Sequence, residues 1–463
     1  MKTFIKIKIN FISIGGRVMR KVKNLVALSL ATLIFSSAFV GCGKSEATKN
    51  DKSEDSDKVV EITWWNYPNY DTIDNTPGKF EQQIIDDFNK KYPNIKVNVE
   101  MIDFNSGPQK INTAIASNSA PDLIYDYPGR IIEYARSGVL APLDDMFTDS
   151  FKEDVNSTIL DSCKLDDNYY MYPINTAPFM MAFNKTMLEE AGIADMLPLD
   201  NPDRLWTIDD MTALLKAIQE KIPDVAPMTL FSKSSGGDQA TRALISNIYG
   251  GETISDDLTE YTLNSPEAVK ALEWVVNGVK EGYIAKGSEA LTSNDAMDMY
   301  LQGKSASTII YSTVLMKTNS TKKAGDFEEV LVPFPTPSTS VEPKLEAFIG
   351  GMAIFDNNNP DKVDAAKKLV DFIANDPETF KTNLIATGGL SVRNSVTDLY
   401  DNEEFKYAEN MIKYIGTYYN AVPGFTEMRT YWFPTLQNVL LGNTTAKDGL
   451  DDFVEKANET LNK

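Results

Sequence analysis

The stretch VVEITWW, residues 59–65, sets the pattern for the chain that follows it. Its β-branched and aromatic residues predict a strand. Thr76-Pro77 then predicts a helix start, with Thr76 as N-cap and Pro77 in the first turn. Apolar residues recur after it at a spacing of four, at Phe80, Ile84, Phe88 and Tyr92. A strand followed by an amphipathic helix indicates an α/β fold.

The same alternation continues along the chain. Residues 95–101 and 306–310 predict strands, and residues 123–125 predict a short buried strand. Further helices are predicted where a capping residue precedes an apolar face, with Thr207, Ser265 and Asn359 as the caps. We therefore expect α/β layers with largely parallel sheets. Such sheets bind ligands beyond the carboxyl ends of their strands.

The first 41 residues have the composition of a secretory signal. They contain seven Lys and Arg residues and no acidic residue, and residues 25–40 are apolar. This apolar run is shorter than the ~20 residues of a membrane span. Met19 opens a complete signal by itself, so translation from Met1 or from Met19 stays open. Removal of the signal is expected to leave Cys42 at the N-terminus.

Phe39-Val40-Gly41-Cys42 resembles a bacterial lipobox, which implies a lipidated, palmitate-carrying Cys42 and a membrane anchor. The alternative is an ordinary cleaved signal followed by an unmodified thiol. Residues 43–58 contain no large apolar side chain, so we interpret residues 42–58 as the lipidated cysteine and a disordered tether.

Composition excludes several classes of function. The chain has 45 basic and 66 acidic residues, which makes nucleic acid an improbable partner. It contains no histidine, so the commonest general base and the commonest zinc ligand are absent. Cys42 and Cys163 are its two cysteines, and acylation of Cys42 leaves Cys163 without a disulfide partner. We predict no cofactor, no metal and a monomer.

Short motifs in a fixed order resemble the extracellular solute-binding protein family 1, the maltose-binding-like receptors of carbohydrate ABC importers. They include Ile62-Thr63-Trp64-Trp65, Ala120-Pro121-Asp122-Leu123, Ala182-Phe183-Asn184-Lys185, Trp206-Thr207-Ile208-Asp209-Asp210, Val332-Pro333-Phe334-Pro335 and Phe348-Ile349-Gly350-Gly351. Each motif is weak alone, but together they span nearly the whole mature chain. The resemblance implies a binding protein and not an enzyme.

The resemblance also implies a periplasmic-binding-protein-like type II fold, with two α/β lobes, a hinge crossed more than once and a ligand cleft between the lobes. The expected N-terminal lobe is 59–175 plus 349–395. The expected C-terminal lobe is 176–348 plus 396–463. The expected partners are a small carbohydrate, the importer's permease subunits and, through Cys42, the outer face of the cell membrane.

A sugar receptor needs aromatic faces for the C–H groups of the ring and polar side chains for its hydroxyls. After the first strand we expect Trp65 or Tyr67 as a platform, beside Asn66, with Trp64 buried in the core. After the strand at 123–125 we expect Asp126 as the main hydrogen-bonding group. Tyr127 and Arg130 lie next to it in the sequence.

The remaining candidates come from the second half of the chain and from one loop at Asp238. Trp432 is the expected platform of the second lobe. Gly350-Gly351 either lets backbone approach the ligand or forms a tight turn. The loop that ends at Asp238 is either part of the cleft or a surface turn. The full set of these later candidates is Asp238, Tyr311, Ser312, Gly350, Gly351, Arg429 and Trp432.

Two alternatives to a neutral-sugar receptor stay open. The same receptor role would suit an acidic sugar, glycerol phosphate or a polyamine, because Arg130, Arg393 and Arg429 could bind a carboxylate and Asp126 and its neighbours could bind an amine. A polysaccharide-active enzyme would need an acid–base pair such as Asp144-Asp145. Adjacent carboxylates in a strand point to opposite faces, which disfavours the enzyme.

Overall fold

The computed structural model describes residues 58–68, 73, 76–103, 106–233 and 236–462. The signal, Cys42 and nearly all of the predicted tether lie outside these residues, as do Ser234 and Ser235. Over the described residues the strands are β1 Val60–Asn66, β2 Ile95–Met101, β3 Leu123–Asp126, β4 Lys164–Leu165, β5 Asn168–Tyr169, β6 Tyr172–Pro178, β7 Met180–Asn184, β8 Ser307–Tyr311, β9 Glu329–Val332, β10 Ala347–Ile354 and β11 Leu390–Ser391.

The helices alternate with these strands, which confirms the predicted α/β class. They are α1 Lys79–Lys91, α2 Gly107–Ala116, α3 Pro128–Arg136, α4 Asp149–Asp154, α5 Ser157–Ser162, α6 Lys185–Glu190, α7 Ile208–Lys221, α8 Asp238–Asn247, α9 Pro266–Glu281, α10 Ser293–Leu301, α11 Thr313–Asn319, α12 Pro360–Asn375, α13 Pro377–Thr387, α14 Glu403–Met411, α15 Phe425–Leu440 and α16 Ala446–Thr460.

Three of the four predicted helix caps are confirmed. Thr207 forms a capping box with Asp210 at the start of α7, and Ser265 and Asn359 accept backbone N–H groups at the starts of α9 and α12. The prediction for Thr76 was wrong. Helix α1 begins at Lys79, and Gly78 occupies the cap position with φ of 83°, a left-handed conformation that glycine adopts without strain.

The larger sheet has the strand order β11-β6-β10-β3-β1-β2. Strand β1 pairs in parallel with β2 and β3, but β10 is antiparallel to both β3 and β6. The smaller sheet, β8-β7-β9, and the two-stranded sheet β4-β5 are antiparallel throughout. The expectation of largely parallel sheets therefore holds only for β1, β2 and β3.

The buried apolar side chains form two large clusters, which we call the cores of lobe 1 and lobe 2. The core of lobe 1 extends from Ile62 to Ile174 and from Ala347 to Val392. The core of lobe 2 begins at Met180 and includes Leu345 and the helices from α14 onward. The chain thus passes between the cores at Phe179 and again at Glu346.

The chain passes to lobe 2 a third time between Leu399 and Tyr400, and it returns briefly to lobe 1 close to residue 415. Ile415 and Tyr418 pack in the core of lobe 1, whereas Tyr414 and Tyr419 pack in the core of lobe 2. The predicted C-terminal lobe, 396–463, does not separate these side chains. Sequence periodicity could not reveal this crossing, because residues 415–420 belong to neither a helix nor a strand.

Candidate ligand-binding site

The lobe 1 wall of the site forms where β1 and β3 end. Parallel strands bring their carboxyl ends to one edge of a sheet, so Tyr67 after β1 and Asp126 at the end of β3 lie at the same edge. Pro128 then begins α3, and Arg130 is on its first turn. The guanidinium carbon of Arg130 lies 5.0 Å from the centre of the Tyr67 ring. These residues therefore form one cluster of polar and aromatic side chains, in which Tyr67 and Asp126 are buried and Arg130 is partly exposed.

An ion pair dominates the lobe 1 wall. Arg130 donates from Nε to Asp126 Oδ2 at 2.7 Å and from Nη2 to Oδ1 at 2.5 Å. It also contacts the Tyr127 hydroxyl and lies 3.8 Å from the centre of that ring. Burial raises the pKa of Asp126, while the charge and the hydrogen bonds of Arg130 lower it. The carboxylate and the guanidinium compensate each other's charge.

The lobe 2 wall contains a second paired carboxylate. Asp238 begins α8, and its side chain is buried. Arg429 on α15 donates from Nε to Asp238 Oδ2 at 2.9 Å and from Nη2 to Oδ1 at 2.5 Å. Arg242, one turn along α8, donates from Nη1 to Oδ2 at 2.5 Å. Burial by itself raises the pKa of Asp238, but these two arginines outweigh burial and lower it to about 2.

Charged groups of both walls affect the pKa of the Tyr127 hydroxyl. Burial raises its pKa most, and Arg130 and Asp126 then act on it from lobe 1. The charges of Arg429 and Asp238 act on the same hydroxyl from lobe 2. Charged groups of both ion pairs therefore lie near the Tyr127 side chain.

Phe348 also lies beside Tyr127, and it was not predicted from the sequence as a contact residue. It is half-buried in β10, and its ring lies edge-on to that of Tyr127 with centroids 6.5 Å apart. Its neighbours Ala347 and Ile349 are fully enclosed in the core of lobe 1. Strand alternation alone places Phe348 on the opposite side, so this signal was present in the sequence.

Trp432, the expected platform, lies inside lobe 2. The side chain has 0% exposure, and its indole N–H donates to Thr241 Oγ1 at 2.7 Å. Its ring meets Phe453 edge to face at 5.1 Å. A ring with no exposed face cannot stack on a sugar, so Trp432 is corrected to a core residue. Helix α15 presents Arg429 to the site and turns Trp432 inward.

Tyr311 and Ser312 are also corrected to structural positions. Tyr311 is buried, and its hydroxyl donates to Glu329 Oε1 at 2.7 Å. Ser312 caps α11 by accepting the N–H of Leu315 at 3.4 Å. Neither side chain has a free polar atom directed toward the two ion pairs. The strand that ends at Tyr311 lies at the edge of the small sheet, with its polar groups used internally.

The two glycines permit close packing between strands. A Cβ on Gly350 would lie 1.9 Å from the Tyr125 hydroxyl, and a Cβ on Gly351 would lie 2.4 Å from the Tyr172 carbonyl oxygen. The register of β10 against β6 shifts between these two residues. Of the two expectations, ligand approach and a tight turn, the tight turn is wrong, because both glycines lie inside strand β10. A side chain at either position would displace neighbouring strands.

The remaining lobe 1 candidates lie on β1. Trp64 is fully buried, as expected, and Trp65 is half-buried with the Lys110 ammonium 4.6 Å from its ring centre. Asn66 is buried and donates from Nδ2 to Glu81 Oε1 at 2.8 Å. Of the alternatives Trp65 and Tyr67, Tyr67 is the one in contact with Arg130.

Two further observations apply to the residues that the structure describes. No helix there is long and apolar enough to cross a membrane. Within the same residues, no group of three or more acidic or cysteine side chains is arranged to hold a metal ion. Cys163 is buried in lobe 1 and unpaired.

Comparison with known proteins places this architecture in a family. Residues 73–379 match the family of bacterial extracellular solute-binding proteins, and the chain belongs to that family. The resemblance read from the short motifs is thereby confirmed. Members of this family bind solutes for transport and are not enzymes.

Individual relatives are distant in sequence. An uncharacterised ABC transporter extracellular-binding protein from Pyrococcus horikoshii is 23% identical over 73% of this chain and 78% of its own length. A diacetylchitobiose-binding protein from Streptomyces coelicolor is 24% identical over 77% and 79%. The solved structure of a cyclic alpha-maltosyl-1,6-maltose binding protein from Arthrobacter globiformis aligns with a TM-score of 0.71 and 18% identity. The alignment covers 87% of this chain and 99% of that protein.

Proposed function

We propose that this protein is an extracytoplasmic receptor that captures a carbohydrate between its lobes and delivers it to the permease subunits of an ABC importer. The names of the relatives support both parts, since they include an ABC transporter binding protein and binding proteins for two oligosaccharides. The observation that carries the proposal is the pair of opposed ion pairs beside Tyr127 and Phe348.

Charge balance favours a neutral ligand over the charged alternatives. Arg130 is paired with Asp126, and Arg429 is paired with Asp238. A carboxylate or phosphate would have to compete with an aspartate for each guanidinium, and an amine would have to displace an arginine from an aspartate. Sugar hydroxyls can instead add to both partners, because they donate to carboxylates and accept from guanidinium groups.

The proposed contact residues follow from this arrangement. Asp126, Tyr127, Arg130, Asp238 and Arg429 stay from the sequence predictions as the polar set. Phe348 is added as an apolar contact for the ring C–H groups. The ring of Tyr67 packs against the guanidinium group of Arg130.

A thermal-shift panel tests the ligand class. Neutral oligosaccharides, including maltotriose and diacetylchitobiose, are compared with uronates, glycerol phosphate and polyamines. A ligand that binds only the folded protein stabilises it by about 2.7 kcal/mol when the free ligand concentration is about 100 times the Kd. The Tm therefore rises. We expect the Tm to rise with neutral sugars. A rise only with uronates, phosphates or polyamines would overturn the neutral-sugar assignment.

A pair of matched variants tests the site. Asp122 and Asp126 flank the same strand β3, and both are buried. Asp122 lies at the far end of the strand, where it is paired with Lys362 at 3.0 Å. We expect Asp126→Asn to weaken sugar binding by about 1–3 kcal/mol and Asp122→Asn to leave the affinity unchanged, although both lower stability. Equal affinities in the two variants would remove Asp126 from the site.

We also propose that the mature protein is anchored to the outer face of the cell membrane by a lipid on Cys42. The basic and apolar signal that ends at this cysteine supports the anchor. Labelling of growing cells with radioactive palmitate tests it. We expect the label on the wild type and on Cys163→Ser, and its loss from Cys42→Ser. Retention of the label by Cys42→Ser would contradict the anchor.

A further inference from the structure

Two adjacent tyrosines that follow the return to lobe 1 at residue 415 are anchored in different lobes. Tyr418 is buried in the core of lobe 1, and Tyr419 is buried in the core of lobe 2. On the lobe 1 side, the position of a Cβ on Gly129 would be 2.9 Å from the backbone oxygen of Asn420. The segment is therefore held tightly by α3 on one side. Any rotation of one lobe against the other must act on this segment.

Arg242 connects this crossing with the ligand-facing wall of lobe 2. Its side chain is fully buried, and it donates from Nε to the Tyr419 hydroxyl at 2.8 Å and from Nη1 to Asp238 Oδ2 at 2.5 Å. Asp238 in turn accepts two hydrogen bonds from the ligand-facing Arg429. A continuous buried chain of charged and hydroxyl groups thus joins Arg429 to Tyr419.

Glu346, at the second crossing, lies beside the same series of buried charged and hydroxyl groups. The backbone oxygen of Glu346 accepts the N–H of Phe179 at 2.8 Å, which ties the first and second crossings together. The side chains of Glu346 and Tyr419 line a cavity of about 130 Å³ at the hinge. Burial raises the pKa of Glu346, and the charge of Arg242 and hydrogen bonding to Tyr419 oppose that rise. Glu346 at the second crossing and Tyr419 therefore both lie within reach of Arg242.

We propose that Arg242 is a positioning residue that couples the ligand-facing pair Asp238–Arg429 to the hinge through Tyr419, so that the orientation of the binding wall and the angle between the lobes change together. The ligand-facing role of the pair rests on the proposed function, but the mechanical link does not. A buried arginine is costly to desolvate, and its two hydrogen-bonded partners are what offset that cost.

The decisive variant is Tyr419→Phe, because it removes the hydroxyl oxygen that accepts from Arg242 and, with it, the bond of the same hydroxyl to Glu346 at the second crossing. The chain offers a matched control in Tyr261, which is also buried and lies 6.3 Å from Tyr419, ring centre to ring centre. The Tyr261 hydroxyl has no hydrogen-bond partner among the described residues. Tyr261→Phe therefore removes a hydroxyl group from the same core and leaves the hydrogen bonds that join Arg429 to Tyr419 intact.

The measurement is the distribution of distances between the lobes without ligand. Ser56–Lys463 forms one compact unit, and this unit is the protein to be used. Spin labels are placed at Lys90→Cys on α1 and Lys447→Cys on α16, whose side chains are 76% and 67% exposed. Cys163 is buried and does not compete for the label. Double electron–electron resonance then gives the distribution of distances between the two labels in each variant.

We expect Tyr419→Phe to shift or broaden the distribution by more than about 2 Å, the scale of a domain rearrangement, and Tyr261→Phe to match the parent protein. Identical distributions in all three proteins would overturn the coupling, even with a lower Tm in Tyr419→Phe. A shift with both variants would also overturn it, because a general packing defect would then suffice. The readout needs no sugar, so a failure of the proposed ligand class would appear only in the thermal-shift panel.

Discussion

Replacement of Glu346 by glutamine should make the protein more stable at alkaline pH and leave its stability unchanged at acidic pH. Burial of this carboxyl group raises its pKa from 4.5 to about 7, with Arg242 and Tyr419 acting in the opposite direction. A carboxyl group with a raised pKa binds its proton more tightly in the folded state than in the unfolded state. Its favourable contribution is therefore complete below 4.5 and is lost as the pH rises through 7.

The magnitude follows from the difference between the two pKa values. A difference of about 2.5 corresponds to about 3 kcal/mol, which is an upper value because the cavity beside Glu346 admits water. Glutamine resembles the protonated acid and has no charge to lose. At pH 8 we therefore expect the free energy of unfolding of Glu346→Gln to exceed that of the wild type by about 2–3 kcal/mol.

Urea unfolding at pH 4.5, 6, 7 and 8 measures this difference directly. The matched control is Glu342→Gln, because Glu342 lines the same cavity but is exposed. We expect the Glu346→Gln curve to separate from the wild type between pH 5 and 8 and the Glu342→Gln curve to remain parallel to it. A constant offset between wild type and Glu346→Gln at all four pH values would refute the reasoning.

Three further outcomes are expected. Trp432→Ala should cost about 3–5 kcal/mol in urea unfolding, because it empties a fully buried site; a loss of sugar affinity at unchanged stability would return Trp432 to the ligand site. Gly350→Ala should lower the Tm, and Tyr125→Phe in the same chain should recover part of the loss by removing the oxygen 1.9 Å from the new methyl group; no recovery would place the strain elsewhere. Burial raises the pKa of Cys163 to about 12, so iodoacetamide at pH 8 should modify this thiol only in denaturant, and mass spectrometry of the folded protein would reveal any exception.

The fold was largely predictable because its signals are local. Alternating strand and helix patterns, and caps such as Thr207 and Ser265, depend on neighbours within four residues. Strand direction was not predictable in this way. The insertion of β10 between β3 and β6 is a pairing between residues more than 150 positions apart, and no local pattern records its antiparallel sense.

The site was predictable only in part, for a similar reason. The closeness of Asp126 and Arg130 was predictable because they follow a strand whose carboxyl end has a defined place in an α/β sheet, and their contact with a ligand stays a prediction. Trp432 was misplaced because an aromatic residue on a helix suits a core as well as a cleft, and the choice depends on the rotation of α15. The importance of Arg242 could not be seen, since its partner Tyr419 is 177 residues away.

The central place of β10 in the larger sheet also constrains how the protein can fold after export. Residues from β1 to β6 are delivered first, yet their sheet lacks its middle strand until residue 354 has emerged. Lobe 2, whose first sheet strands lie between residues 180 and 332, can begin to assemble before lobe 1 is complete. The strands β1 to β6, which are synthesised first, therefore keep unpaired edges until β10 has been made.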